Sequence, residues 1–228
     1  MLQLADARSG RKTPVQAAGG RRLTVAFCPG SLRAAVTADL VRRAAERHHL
    51  VVMLAPHPCG EPPVAEPIRY NIHPPSATAT VGAVDVHVGP HDHDEGDRII
   101  LATMHDHPAF PDADPLAVRL ALLDRRHGDR TPLGPADIAE AHTRLLELRA
   151  DVARFAEAPS GAIPLDRISA IHAAVDDDLD TARALALTDS LRHDAAVAPG
   201  ARFESLVHLD RTFGLDLAQD VGKIYPSD

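Results

Sequence analysis

The apolar run LTVAF, Leu23 to Phe27, lies between arginines and a Cys-Pro-Gly turn, the pattern of a buried strand. In the following SLRAAVTADLVRRAAERHHL, apolar positions recur at Leu32, Ala35, Val36, Leu40, Val41 and Ala44, so the spacing predicts a helix with Ser31 as its N-cap. LVVMLAP, residues 50–56, is a second buried strand. Strand, helix and strand in that order predict a parallel βαβ unit and the start of an open α/β sheet. Residues 56–80 carry prolines too densely for helix or ladder and read as a long surface connection. A third strand, Ala83 to Val88, leads into the polar turn GPHDHDEGD and then DRIILATM, whose period fits a helix or a fourth strand.

Beyond Pro111 the pattern is helical to the end. Asp114 and Pro115 open one segment as N-cap and first helical residue, and Pro135 opens another. The latter puts Ile138, Leu145, Leu148, Val152 and Phe155 on one stripe. Three more amphipathic segments follow, one capped by Asp180 and the last ending near Gly214. The expected organisation is a flexible leader over 1–20, a Rossmann-like parallel-sheet domain of α/β class over 21–112, and an all-α helical bundle over 113–228.

Composition narrows the function. The chain is 228 residues with a net charge of −8, which argues against nucleic acid as a main partner because phosphate binding draws its affinity from clustered Lys and Arg. Aromatic residues are 3% and Trp is absent, so the core is aliphatic. Two cysteines, Cys28 and Cys59, are too few for a disulfide scaffold and fit a reducing cytoplasm. No apolar run approaches the roughly 20 residues that cross a bilayer, and the first residues hold no signal-like core, so a cytoplasmic chain without a membrane partner is expected.

The segment DPLAVRLALLDRRHGDRTPLGPADIAEAHTRLLELRADVARF, residues 114–155, resembles the part of cysteinyl-tRNA synthetases and the mycothiol cysteine ligases that joins the catalytic domain to the helical domain. AAVDDDLDTARALALTDSL, residues 173–191, is similar to an acidic junction and Ala-Leu-rich helix of that family. LTVAFC resembles the family's first strand, whose Cys is a zinc ligand, and GSLRAAVTADLVRR its following helix. The resemblance implies a shortened paralogue. Ser31 replaces the His of the HIGH motif, and the stretch before Gly30 is reduced to Pro29. No basic residue stands between His107 and Arg119, where the family has its Lys-Met-Ser-Lys loop, and the connective domain has shrunk to the proline-rich stretch. Charge developing on phosphate oxygens has no cation to offset it, so weak or absent adenylation is expected and no catalytic residue is assigned.

The resemblance gives the turn after the third strand two alignments. In one, Gly89 and Asp92 fall where these synthetases hold the ribose of ATP, and the ligand-binding set becomes Cys28, Gly30, Ser31, Arg33, Gly89 and Asp92. In the other, His91 and Glu95 join Cys28 and Cys59 in a zinc site that would grip a thiolate. A plain solvated loop is the competing reading of the same turn. Cys28 is also readable as a nucleophile or as a small buried hydrophobe. Arg42 and Arg43 read as anion contacts or as solvated surface, Asp176 to Asp178 as a cation site or a capped helix junction, and His105 and His107 as loop residues. The functions expected are binding of a nucleotide or cysteine-like ligand, a noncatalytic regulatory or interaction role as an oligomer or with a protein partner, or, disfavoured by charge, tRNA binding.

Overall fold

The computed structural model describes residues 1–17, 20–57, 59–60, 62–76, 84–89, 96, 98–104 and 110–223. Four parallel strands form the main sheet: β3 (Arg22–Phe27), β4 (Val51–Pro56), β5 (Val86–Gly89) and β6 (Ile99–Ala102), in the order β4-β3-β5-β6. The α/β class expected from the pattern is therefore present. DRIILATM resolves as a strand, since it pairs in register with β5 from Val86 opposite Ile99 to Gly89 opposite Ala102. Between β3 and β4 runs α1 (Leu32–Arg47), with the Ser31 side chain accepting a hydrogen bond from the Ala34 amide at 3.2 Å.

Among the described residues five helices follow: α2 (Pro115–Leu123), α3 (Pro135–Phe155), α4 (Leu165–Asp176), α5 (Thr181–His193) and α6 (Pro199–Phe213). Their starts obey the predicted chemistry. Asp114 caps α2 at 2.8 Å on the Leu116 amide, and Asp180 caps α5 at 3.2 Å on Arg183. Gly214 ends α6 with φ of 67°, a left-handed conformation that a side chain would penalise. The predicted α3 stripe of Ile138, Leu145, Leu148, Val152 and Phe155 is buried throughout.

Helix α1 packs on β3, β4 and β5 with one face and on α2 and α6 with the other, so nearly every one of its residues is buried. Its arginines therefore do not lie on a solvated outer face. Arg42 and Arg43 are drawn to Asp39, whose carboxylate also receives Arg119 from α2. The ion pair between Asp39 and Arg119 spans 2.7 Å, and both side chains are 0% exposed. Arg119 further donates to the carbonyls of Phe213 (2.7 Å) and Tyr70 (2.9 Å). One guanidinium thus ties α2 to α1, to the end of α6 and to the 3-10 turn Pro67–Tyr70 in the proline-rich connection.

Residues 1–20, expected as a flexible leader, contain a hairpin. Strands β1 (Gln3–Ala5) and β2 (Lys12–Pro14) pair antiparallel, with Leu2, Leu4 and Val15 buried. Short alternation such as Leu2 and Leu4 is easily lost in a Gly-, Ala- and Arg-rich background, and the hairpin is held by distant partners. The Ala7 amide donates to the Ile100 carbonyl at 2.8 Å, and the Ala5 amide to the Asp178 carboxylate at 2.8 Å. The acidic run is spent in this way: Asp176 holds Arg47 and His48, Asp177 holds Lys12, and Asp178 holds the hairpin and His127. Among the described residues the run belongs to no group of three or more His, Cys, Asp or Glu side chains that could hold a metal ion.

Burial raises the Asp39 pKa, but Arg119, then Arg43 and Arg42, outweigh it and bring the value down to about 2 from 3.8. A folded value below the unfolded one gives stability that is complete above about pH 4 and is lost as pH falls from 3.8 toward 2. Replacing Arg119 with Met leaves a buried carboxylate short of its partner and is expected to cost about 3–5 kcal/mol in urea unfolding. The double variant Asp39→Asn, Arg119→Met should lose clearly less than the sum of the single losses; strict additivity would show that the pair does not couple.

Candidate functional site

The sheet reverses its direction of growth between β3 and β5, since β4 lies on one side of β3 and β5 on the other. In open parallel sheets the carboxyl ends of two such strands bound a natural crevice. Here those ends are Phe27, followed by Cys28, and Val88, followed by Gly89, joined by the Cys28 amide donating to the Val88 carbonyl at 3.1 Å. Gly30 and Ser31 lie in the tight turn from β3 into α1, and the Ser31 hydroxyl also donates to the Met104 carbonyl at 3.3 Å. A Cβ on Gly89 would stand 3.5 Å from Cys28 Cβ and 3.5 Å from His87 Nε2, so the glycine leaves open the space beside Cys28.

Cys28, Gly30, Ser31 and Gly89 are thus brought together at the carboxyl ends of the two central strands. Arg33 is not part of that group in the expected way. Its guanidinium is buried and donates to the Thr131 carbonyl at 3.3 Å, toward the loop between α2 and α3. Asp92 lies outside the described residues, as do His91, Glu95, His105 and His107.

Cys28 and Cys59 are disulfide-bonded, with Cα atoms 5.5 Å apart. This corrects the reading of two free thiols. A disulfide presents no thiolate, so neither sulfur can serve as a zinc ligand or nucleophile in this state. Among the described residues no group of three or more His, Cys, Asp or Glu side chains is placed to hold a metal ion. With both sulfurs in the bond, the thiolate pair of the expected zinc site is absent in this state, and its His91 and Glu95 lie outside the described residues. The bond pins the proline-rich connection across the strand ends, where the His57 amide donates to Phe27 (2.8 Å) and the Val64 amide to the Pro29 carbonyl (2.8 Å).

Two histidines missed from the sequence complete this group. His57 and His87 meet edge to face with ring centroids 4.9 Å apart. His87 is buried on β5, on the opposite face from Val86 and Val88. Its place in AVDVHV reads as an ordinary polar strand position, and only the fold brings His57 to it.

The chain is 44% identical over 92 residues, 39% of its length and 22% of the relative's, to the L-cysteine:1D-myo-inositol 2-amino-2-deoxy-alpha-D-glucopyranoside ligase of Thermobispora bispora. The ligase of the same name from Acidothermus cellulolyticus is 42% identical over 77 residues, 34% of this chain and 18% of that protein. That of Catenulispora acidiphila is 39% identical over 85 residues, 36% of this chain and 19% of that protein. Over these stretches the chain is similar to these cysteine ligases. It spans about a fifth of the length of the curated relatives it matches. No family model matches it. The similarity agrees with the resemblance drawn from the helical segments, and no helix among the described residues is long and apolar enough to cross a membrane.

The disulfide closes a sequence separation of 31 residues, for which loop-closure entropy predicts about 3–4 kcal/mol of stabilisation. Reduction by a dithiol, or the pair of substitutions Cys28→Ser and Cys59→Ser, should lower the unfolding free energy by that amount, and the double variant should no longer respond to the dithiol. Equal stability of oxidised and fully reduced protein would show that the connection is held without the bond.

Proposed function

We propose that this ligase relative binds a nucleotide or cysteine-like small molecule where the strand order reverses, with weak or no capacity to adenylate. The observation that carries the reading is the convergence of Cys28, Gly30, Ser31 and Gly89 on the strand ends between β3 and β5. The crevice expected there in parallel sheets lies beside the N-terminus of α1, whose first amides favour a negatively charged group. Two features hold catalysis down. The residues between His107 and Arg119 supply no cation for a departing pyrophosphate, and Arg33 donates to the Thr131 carbonyl. ATP, if bound, would lie with its ribose toward Gly89 and its phosphates toward Ser31, held by backbone amides rather than by charge.

The same loss of cationic groups is what a noncatalytic regulatory role would leave, and the charge of −8 keeps tRNA the least favoured partner. We place the chain in the cytoplasm, on its low cysteine count and the absence of a long apolar run. There the Cys28–Cys59 bond would meet a reducing pool. Alkylation of intact cells before lysis reports the state of the two sulfurs, and blocked thiols on both would be expected from a cytoplasmic chain; a protected pair would move it to an oxidising compartment.

Thermal-shift titrations with cysteine and with ATP test the binding site. A ligand at about a hundred times its Kd stabilises by about 2.7 kcal/mol, a rise of roughly 5–10 °C for a chain of this size. A rise with either ligand, without ATP–pyrophosphate exchange, is the expected result. No shift with both at millimolar concentration would discard the reading, and rapid exchange would restore full ligase chemistry.

A further inference from the structure

About 20 Å along α1 from Ser31, its C-terminal half forms one wall of a cavity of about 320 Å3, with α4 and α6 as the other walls. Arg42, Arg43, Arg47, His172, His208 and Arg211 line it. The carboxylate beside them, Glu46, is already held by Arg42 at 2.7 Å. Arg42 and Arg43 are further engaged by Asp39 at 2.9 and 2.7 Å.

The remaining donors are incompletely matched by acceptors of the chain. Arg47 gives one Nη to Asp176, while its Nε and other Nη are buried with no hydrogen-bond partner, and His172 Nε2 is in the same condition. Arg211 is exposed, and its side chain makes no hydrogen bond or ion pair among the described residues. His208 lies with its ring centroid 5.4 Å from that of His172. The partial negative charge at the end of α1 explains why arginines collect there, but not why these donors are left incompletely matched. His172 is kept neutral: burial first, then Arg47 and His208, with a smaller push from His48, bring its pKa to about 4 against the opposing pull of Asp176. A negatively charged occupant would relieve that crowding of cations.

We propose that this cavity binds the phosphate group of a small molecule. An ionised phosphate monoester offers acceptor oxygens only, which matches a wall of guanidinium and imidazole donors, and Arg pairs with it through charge-assisted, two-pronged hydrogen bonds. The volume accommodates a phosphate with a compact polar body such as a sugar. The site is independent of the strand-end crevice and does not rest on it.

Calorimetric titration of the full chain with inorganic phosphate and with glucose 6-phosphate, each at constant ionic strength against chloride, tests the assignment. Saturable binding in the millimolar range or tighter is expected, accompanied by movement of the His172 and His208 imidazole resonances. Arg211→Glu leaves the ion pairs of α1 untouched, so it should fold with unchanged circular dichroism, yet weaken binding by about tenfold or more. Tighter binding of glucose 6-phosphate would identify a phosphate monoester as the ligand, and equal binding would identify phosphate itself. Absence of saturable binding by both probes, or equal binding by wild type and the folded Arg211→Glu variant, would overturn the proposal.

Discussion

A carboxylate with no exposure to water fixes how the two halves of this molecule meet. Asp39 sits in the middle of α1, where the helix is covered by the sheet on one side and by α2 and α6 on the other. An isolated buried charge there would be prohibitive, so the helix can be enclosed only if cations are enclosed with it. Arg119 supplies the counter-charge from the neighbouring helix and uses its other nitrogens on backbone carbonyls at the end of α6 and in the proline-rich connection. Its planar fork suits this work better than a lysine would, because several acceptors in different directions must be satisfied at once. Hydrophobic burial makes the contact between sheet and helices favourable; the ion cluster makes it particular.

That arrangement also explains which parts of the fold are legible along the chain. Strands β3 and β4, the caps Ser31, Asp114 and Asp180, and the apolar stripe of α3 follow from period and local hydrogen bonding, which neighbouring residues decide. The burial of Arg33 and Arg42 does not, because nothing local says that a crossover helix will be covered on its second face. The N-terminal hairpin is hidden for a similar reason: β1 and β2 are three residues each, and their hold on Ile100 and Asp178 is a property of the assembled chain.

The candidate site was legible in part. Cys28, Gly30, Ser31 and Gly89 could be nominated from their places after strands and before a helix, and the fold gathers them. The pairing of Cys28 with Cys59 was not, since two cysteines separated by a proline-rich stretch carry no signal of mutual distance. The motif Asp114-Pro115 to Arg119, read as a mark of kinship with cysteine ligases, has a structural meaning as well: its first residue starts α2 and its last closes the ion cluster. What the segment forms in this chain is a joint between helices, and such a joint says nothing by itself of the chemistry it positions.

The hairpin's anchor sets an order of events during synthesis. Ala5 and the carboxylate that binds it, Asp178, are 173 positions apart. At ribosomal speeds of about 5–20 residues per second, β1 waits on the order of ten seconds or more for Asp178. Until then Leu2 and Leu4 have no finished surface to cover them. The hairpin can pair with β6 once Ile100 is made, but its full set of partners is complete only after Asp178.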